Sequence, residues 1–382
     1  MITSLQSRTK IMHIVARMNV GGPAILLADL VRNLDPVEFE QFVVTGFCDP
    51  NEVDYLDSVA TDIHPIRIKG LGRSISFFRD LTAFLILVRE IRRIRPQIVH
   101  THTSKAGLLG RLAAIIALPS ARRVHTYHGH LLHGYFGKSK SLAFIFIERI
   151  LAKYTHELIA VGSKVMDDLL RVGVGSVSKF HVIHPGLHED NIDSKEKCRV
   201  DLGLSQEKTF ILFIGRLTQI KRPDRLIDVI NSIDAINSNV HFLVVGGGEL
   251  LSTTKMEAES NSLPVSFFGW RNDVSKFLGA SDIAILCSDN EGVPLSLIQA
   301  ALAKLPIIST DVGSVTDLVK HGVNGYVTSK NPVEIANFLE NLIDDPKLRS
   351  VFGEASFEIA QGSFTSKAMM EKHKKLYQLT IK

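Results

Sequence analysis

The chain has little of several residue types that would mark a specialised protein. It contains one tryptophan, Trp270, and three cysteines, Cys48, Cys198 and Cys287. The cysteines are odd in number, widely spaced, and form no C-x-x-C pair or Cys/His cluster. That pattern excludes a disulfide-stapled scaffold and a zinc finger, and it suits a reducing cytoplasm. No apolar run approaches the ~20 residues that a membrane-spanning helix needs. The run Ile11–Ala16 behind the polar opening MITSLQSRTK is too short for a secretory signal, so no targeting segment is expected. There is no low-complexity tract, no short internal repeat and no known nucleic-acid-binding module. The net charge is only +4.

What is present is an ordinary globular composition, 45% hydrophobic and 22% charged, over 382 residues. That length exceeds one typical core and predicts two domains. Charge is unevenly divided: residues 1–190 hold 23 Lys+Arg against 17 Asp+Glu, whereas 191–382 hold 21 against 23. Between His64 and Lys140 there are 14 basic residues and two acidic ones, Asp80 and Glu90. Phe77, Phe78, Tyr135 and Phe136 lie in the same stretch, which suits contact with an anionic membrane surface. A merely solvated basic face is the plainer alternative.

Short apolar runs alternate with helical patterns throughout. Ile11–Ala16, Phe42–Gly46, Ile98–His100, Arg123–Tyr127 and Glu157–Val161 read as strands, followed by Phe210–Ile214, Val240–Val245, Val265–Phe268, Ile283–Leu286, Ile307–Ser309 and Gly325–Val327. Continuous apolar strands separated by helices predict parallel sheets covered on both faces, an α/β architecture. The polar stretch from His188 to Lys208 separates two such series. In open parallel sheets ligands bind beyond the carboxyl ends of strands, and the unusual residues of this chain fall there.

After Phe213-Ile214 come Gly215, Arg216 and Lys221, two cations placed to meet a diphosphate. The plain alternative is a pair of solvated loop cations. Glu291-Gly292-Val293-Pro294-Leu295 reads as a tight turn into a helix, with proline in its first turn and amides aimed at an anion. Glu291 cannot share that anion and is expected to face sugar hydroxyls; capping the helix is its alternative role. His125, His128 and His130 crowd six residues, but their spacing gives no coherent metal-ligand face, so His128 is read as a sugar-facing or charge-stabilising group. Asn19-Val20-Gly21-Gly22-Pro23 opens the first long helix without the full G-x-G-x-x-G pattern. Gly246-Gly247-Gly248-Glu249 follows a strand without a P-loop lysine. Trp270 and Arg271 could flank a base, or the tryptophan could be packing.

Taken in order, these segments resemble the family-4 retaining glycosyltransferases of the GT-B fold. The matching segments are GGPA at 21–24, HTHTSKAGLLGRLAA at 100–114, HTYHGH at 125–130, FIGRLTQIKRPD at 213–224, VVGGGE at 244–249, FFGWRNDV at 267–274, SDNEGVPLSLIQA at 288–300, IISTDVGS at 307–314 and LVKHGVNGYV at 318–327. The resemblance implies two doubly wound Rossmann-like domains facing across a cleft. Residues 1–190 would bind the acceptor and residues 191–364 the nucleotide-sugar, with a helix near 365–382 crossing back to the first domain. It implies a donor site of Gly22, Gly215, Arg216, Lys221, Gly246, Glu249, Trp270, Arg271, Glu291, Gly292, Val293, Pro294, Leu295 and Gln299. It implies acceptor contacts by His102, Ser104, Lys105 and His130, and catalysis by His128, Glu291, Arg216 and Lys221. No metal and no cofactor is implied beyond the nucleotide-sugar. The chain departs from the family at Gln299, where the second glutamate of the E-x7-E motif is usual. An amide still bonds hydroxyls there, but without the strength that charge adds.

The expected activity is transfer of a hexose or N-acetylhexosamine from a nucleotide-sugar, UDP-linked for preference and GDP-linked as the alternative. The expected acceptor is a lipid-linked glycan of a surface polysaccharide such as lipopolysaccharide, at the inner face of the plasma membrane. A non-catalytic nucleotide-sugar-binding subunit and a nucleotide-sugar epimerase of the same fold are the competing readings.

Overall fold

The computed structural model describes residues 8–50, 52–72, 74–129, 138–233 and 239–381. Contacts divide the chain into two compact units. One comprises residues 1–184 with 366–382, and the other residues 185–365.

The first unit is built on strands β1 (Thr9–Val15), β2 (Phe39–Thr45), β3 (Ile66–Arg67), β4 (Ile98–His102), β5 (Arg122–Tyr127), β6 (Glu157–Ala160) and β7 (Phe180–Val182). They form one sheet in the order β3-β2-β1-β4-β5-β6-β7, with every pairing parallel. Buried Ile11, Met12, Ile14 and Val15 show why β1 reads as continuously apolar: both faces of the sheet are covered. The apparent anomalies are histidines, since His13, His100, His102 and His125 lie at buried strand positions.

Strand order reverses between β1 and β4, which places the ends of those strands at a topological switch point. The helix Ser366–Thr380 belongs to this unit. It buries Met369, Met370, His373, Leu376 and Tyr377, and the His373 and Tyr377 rings lie against His100 of β4. Ser366 Oγ donates to Asp29 Oδ2 at 2.5 Å, and Lys374 pairs with Glu38.

The second unit holds β8 (Thr209–Ile214), β9 (Val240–Val245), β10 (Val265–Phe267), β11 (Ile283–Leu286), β12 (Ile307–Thr310) and β13 (Gly325–Thr328). Their order is β10-β9-β8-β11-β12-β13, again all parallel. Alternate residues fill two apolar layers. Leu212, Leu243, Val245 and Leu286 pack on one face; Ile211, Phe213, Phe242, Val244 and Ile285 pack on the other. The switch point here lies between β8 and β11, so Gly215 and Ser288 emerge side by side.

Three helices of the first unit, Phe77–Ile94, Ser104–Ala117 and Lys138–Lys153, pack in sequence beside one another. Helix Phe77–Ile94 buries Ala83, Leu87, Ile91 and Ile94 at helical spacing. Its other side carries a second apolar stripe, Phe77, Phe78, Leu81 and Leu85, which is exposed. Ile116 on the next helix and Leu142, Phe146 and Ile150 on the third are exposed as well. Among the described residues no helix is long and apolar enough to cross a membrane.

Candidate functional site

In the second unit three loops converge at the switch point. The loop after β8 is stitched to the loop after β9: Gly215 N–H donates to Val245 O at 3.0 Å and Leu217 N–H to Gly247 O at 2.8 Å. Gly246 makes this approach possible. Its φ is 145°, and a Cβ there would lie 2.0 Å from Gly215 O. The loop after β11 joins the same cluster through Asp289 N–H, which donates to Ile220 O at 2.8 Å. Behind it, Gly313 packs so tightly on Glu291 that a Cβ would lie 1.8 Å from Glu291 O. The Glu291–Gly292 backbone is therefore held from both sides.

Within this frame Lys221 Nζ lies 2.5 Å from Glu291 Oε1, both side chains being largely buried. Arg216 is exposed, and among the described residues its guanidinium has no hydrogen-bond or ion-pair partner. The two cations expected to act together therefore differ: one is tied to a carboxylate and the other is free. The helix Leu295–Leu302 starts at this point, but Pro294 is its extended N-cap (φ −71°, ψ 124°) and not a first-turn residue. The first N–H groups, on Leu295 and Ser296, have no intrahelical acceptor, as in any helix. Helical spacing buries Leu297, Ile298, Ala300 and Ala301 and leaves Leu295, Ser296 and Gln299 half-buried. The Gln299 amide has no partner among the described residues and lies on the same helix face as Leu295.

Other expected donor contacts are less convergent. Glu249 is exposed, just ahead of the helix Leu251–Ser260. Trp270 is 65% exposed, so it is not a core residue. Arg271 is committed to Asp273, with Nε 2.8 Å from Oδ1, and it stacks on Phe277. Gly22, in the first unit, is the first residue of the helix Gly22–Asn33 and is half-buried.

Asp289 was not singled out from sequence. It receives Arg225 Nη2 at 2.8 Å, Arg222 Nη1 at 2.9 Å and Lys330 Nζ at 3.2 Å. Burial opposes its ionisation, yet these cations hold its carboxyl down at about 2. Arg225 also donates to Cys287 O, and Arg222, in a left-handed conformation (φ 54°), bonds Asp224 as well. This clamp fixes the entry to the Glu291 turn. Only the separation in sequence between 222–225 and 289 hid it.

In the first unit the expected histidine, His128, is the first residue after β5 and is half-buried. Its Nε2 lies 3.1 Å from His102 Nδ1. Burial, with His373 nearby, lowers the His128 pKa to about 4, so its ring is neutral at physiological pH. Burial likewise drives His102 well below its ordinary value, with His128 as the nearest further cause.

Two expected acceptor contacts are turned inward. His102 is 3% exposed. Lys105 donates to Gly70 O at 2.9 Å and Ser74 O at 2.6 Å, and pairs with Asp80 at 2.5 Å. The structure therefore gives Lys105 a bracing role toward Gly70, Ser74 and Asp80, because those acceptors already use its donors. Ser104 opens the helix Ser104–Ala117 and is half-buried. Thr103 before it has φ 64°, a conformation that β-branched residues rarely adopt and that clusters at functional sites. His130 lies outside the described residues, as do Tyr135 and Phe136.

His125 turns away from His128 and bonds Thr101 Oγ1 at 2.8 Å. The residues that do bring ring nitrogens together are His13, His100 and His102, with one from each within 4.8 Å of the others. All six ring nitrogens of that trio already sit in hydrogen bonds: to Gln41, His128, Thr126 and Tyr377, and between His13 and His102. A cation there would have to displace those partners. His13 lies too far from the others in sequence for any motif to have shown the cluster.

The family described as "Glycosyltransferase Family 4" matches residues 20–191, and "Glycosyl transferases group 1" matches residues 194–358. A relative from Escherichia coli, named UDP-Gal:alpha-D-GlcNAc-diphosphoundecaprenol alpha-1,3-galactosyltransferase, is 29% identical and covers 98% of both chains. The capsular polysaccharide biosynthesis glycosyltransferase CapM of Staphylococcus aureus is 25% identical, also over 98% of each. Among solved structures, Anabaena HepE in complex with UDP and glucose superposes with a TM-score of 0.80 at 18% identity, covering 97% of this chain and 100% of that one.

Proposed function

We propose a reaction for this chain from one premise: it belongs to the family-4 glycosyltransferases of the GT-B fold, among enzymes of bacterial surface polysaccharide synthesis. The donor is a UDP-hexose or UDP-N-acetylhexosamine. The acceptor is a hydroxyl of a sugar carried on a lipid diphosphate. The sugar moves with retention of its anomeric configuration and without a metal ion. The name of the Escherichia coli relative supports both substrates, and the UDP held by HepE supports the nucleotide.

One observation carries the reading: exposed Arg216, with no side-chain partner among the described residues, lies on the same stitched loop cluster as the Lys221–Glu291 pair and the first amides of helix Leu295–Leu302. These groups suit a leaving diphosphate. As the bond from the sugar C1 to the diphosphate oxygen breaks, negative charge grows on that oxygen. Arg216, Lys221 and the helix amides meet it with charges and dipoles already in place. Glu291 is left to bond sugar hydroxyls while Lys221 holds its Oε1. The acceptor hydroxyl attacks the face the diphosphate is leaving, and its proton passes to the departing oxygen. Gln299 takes the ribose hydroxyls. Neutral His128 contacts the sugar.

The outward stripes Phe77, Phe78, Leu81, Leu85 and Leu142, Phe146, Ile150 support a peripheral membrane contact, which would bring the first unit to a lipid-borne acceptor. Exposed Arg79, Arg89, Arg92 and Arg93 share the helix Phe77–Ile94 and favour anionic headgroups.

The test is product formation from UDP-Gal, UDP-Glc, UDP-GlcNAc and a GDP-sugar, with a lipid-diphosphate-GlcNAc acceptor, in the presence of a chelator. One UDP-sugar is expected to give a product of retained configuration, lost in Arg216→Ala. An inverted product or chelator-sensitive transfer would overturn the corresponding part of the reading. UDP-sugar binding with no transfer to any acceptor in membrane lipid extract would make the chain a binding subunit.

A further inference from the structure

The histidines of the first unit form an ordered line whose direction can be worked out from one end. Gln41 on β2 places its Nε2 2.9 Å from Val31 O. A backbone carbonyl only accepts, so the amide nitrogen must face it. The other end of the amide, Oε1, then lies 3.1 Å from His13 Nε2. An amide oxygen also only accepts, so His13 carries its proton on Nε2 and its Nδ1 is bare. His102 Nε2 lies 3.4 Å from that bare nitrogen and must donate to it. His102 Nδ1 is then bare in turn, and His128 Nε2, 3.1 Å away, donates to it. Running the line the other way would set Gln41 Oε1 against Val31 O, two acceptors at hydrogen-bonding distance.

This directed line requires neutral rings, and the surroundings provide them. Burial lowers the His13 pKa to about 3 despite the Gln41 bond, and it lowers His102 and His128 as described. The neighbours around the line are His100, whose tilted ring is centred 4.1 Å from that of His102, with His125, His373 and Tyr377. None is a carboxylate that would stabilise an imidazolium.

We propose that Gln41, His13 and His102 are positioning residues that lock His128 as its Nε2–H tautomer, so that the His128 Nδ1 lone pair is offered to a hydroxyl hydrogen of the bound sugar. Among the described residues that nitrogen has no protein partner. The line moves no proton; it fixes which ring nitrogen of His128 is bare. His128 thereby accepts a hydrogen bond and cannot act as a general acid. The sugar contact rests on the proposed glycosyl transfer, whereas the tautomer lock does not.

The test is long-range proton–nitrogen correlation NMR of the full chain labelled with 15N-histidine at neutral pH, with His128→Gln to assign its signals. The expected result is a protonated Nε2 and a bare Nδ1 on His13, His102 and His128. A wild-type His128 protonated on Nδ1 overturns the proposal without any variant. Gln41→Met removes the anchor, and His128 is expected to populate both tautomers while circular dichroism is unchanged. An unaltered His128 in that variant overturns the anchoring. With the tautomers mixed, kcat for transfer should fall about two- to tenfold, as the competent fraction falls. Mixed tautomers with unchanged turnover would overturn the sugar contact. The locked pattern in a protein with no transferase activity would sink the proposed reaction and leave the tautomer lock standing.

Discussion

Lys221 Nζ and Glu291 Oε1 are 2.5 Å apart although the residues are seventy positions apart in sequence, one on the loop after β8 and the other on the loop after β11. In the proposed reaction the cation of this pair serves the phosphate and its carboxylate the sugar. Arg216, on the same loop as Lys221, has no such partner among the described residues, and the two cations should respond differently to removal.

Arg216→Ala is expected to lower kcat/KM about 10²–10³-fold, the usual effect of deleting one charge-stabilising donor. Its thermal stability should stay within about 0.5 kcal/mol of wild type, since the side chain is exposed. Lys221→Ala should lose comparable activity and also about 1–3 kcal/mol of stability, because it strands a largely buried carboxylate. Steady-state kinetics with thermal melts would check the contrast. Equal destabilisation by both substitutions would contradict it.

Asp289 gives a pH dependence whose sign can be worked out. Burial resists its charge, but Arg225, Arg222 and Lys330 hold its folded pKa at about 2 against an ordinary 3.8. A depressed folded pKa means the stabilisation is fully present above the unfolded value and is lost as pH falls through the folded one. Wild type should therefore lose part of its urea resistance between about pH 4 and pH 2, and Asp289→Asn should flatten that slope. Urea midpoints measured across the window decide it, and parallel slopes would rule it out.

Restoring the carboxylate by Gln299→Glu should tighten UDP binding by about 1–2 kcal/mol, or roughly five- to thirtyfold in Kd. The half-buried position and the absence of a competing partner among the described residues leave the new group free to bind. Calorimetric titration with UDP measures it. Weaker binding would mean the site around Gln299 is built for an amide.

The outward stripe of helix Phe77–Ile94 should be needed for membrane attachment. Phe77→Ser with Phe78→Ser is expected to abolish co-sedimentation with anionic vesicles while leaving the melting temperature unchanged, because both rings are more than three-quarters exposed. Wild type binding equally well to neutral vesicles, or the double variant still sedimenting, would remove the electrostatic or the apolar half of the idea.

Sequence pattern revealed the fold wherever burial was two-sided. Strands such as Phe210–Ile214 and Ile283–Leu286 read as unbroken apolar runs because helices cover both faces. It missed Ile66–Arg67 and Phe180–Val182, which are short edge strands paired on one side only and so can be partly polar. The helix Lys195–Asp201 lay hidden in a stretch read as a polar linker. At the site, motifs at strand ends brought Arg216, Lys221 and Glu291 onto one loop cluster. They did not show Asp289 meeting Arg225, or His13 meeting His102, because contacts between separate strands of a parallel sheet leave no local spacing to read. Lys105 failed for another reason: a lysine in a motif looks the same whether its ammonium reaches a ligand or a backbone carbonyl.

The return of helix Ser366–Thr380 to the first unit also sets an order of events during synthesis. His100 Nδ1 finds the Tyr377 hydroxyl, 2.7 Å away, across 277 positions of chain. At a translation rate of about 5–20 residues per second, that partner emerges roughly 15–55 s after His100. Throughout that interval the first sheet stands with a buried face of histidines uncovered, while the whole second unit is made and folds. The newborn chain therefore passes through a state in which its first unit still lacks the helix that covers His100.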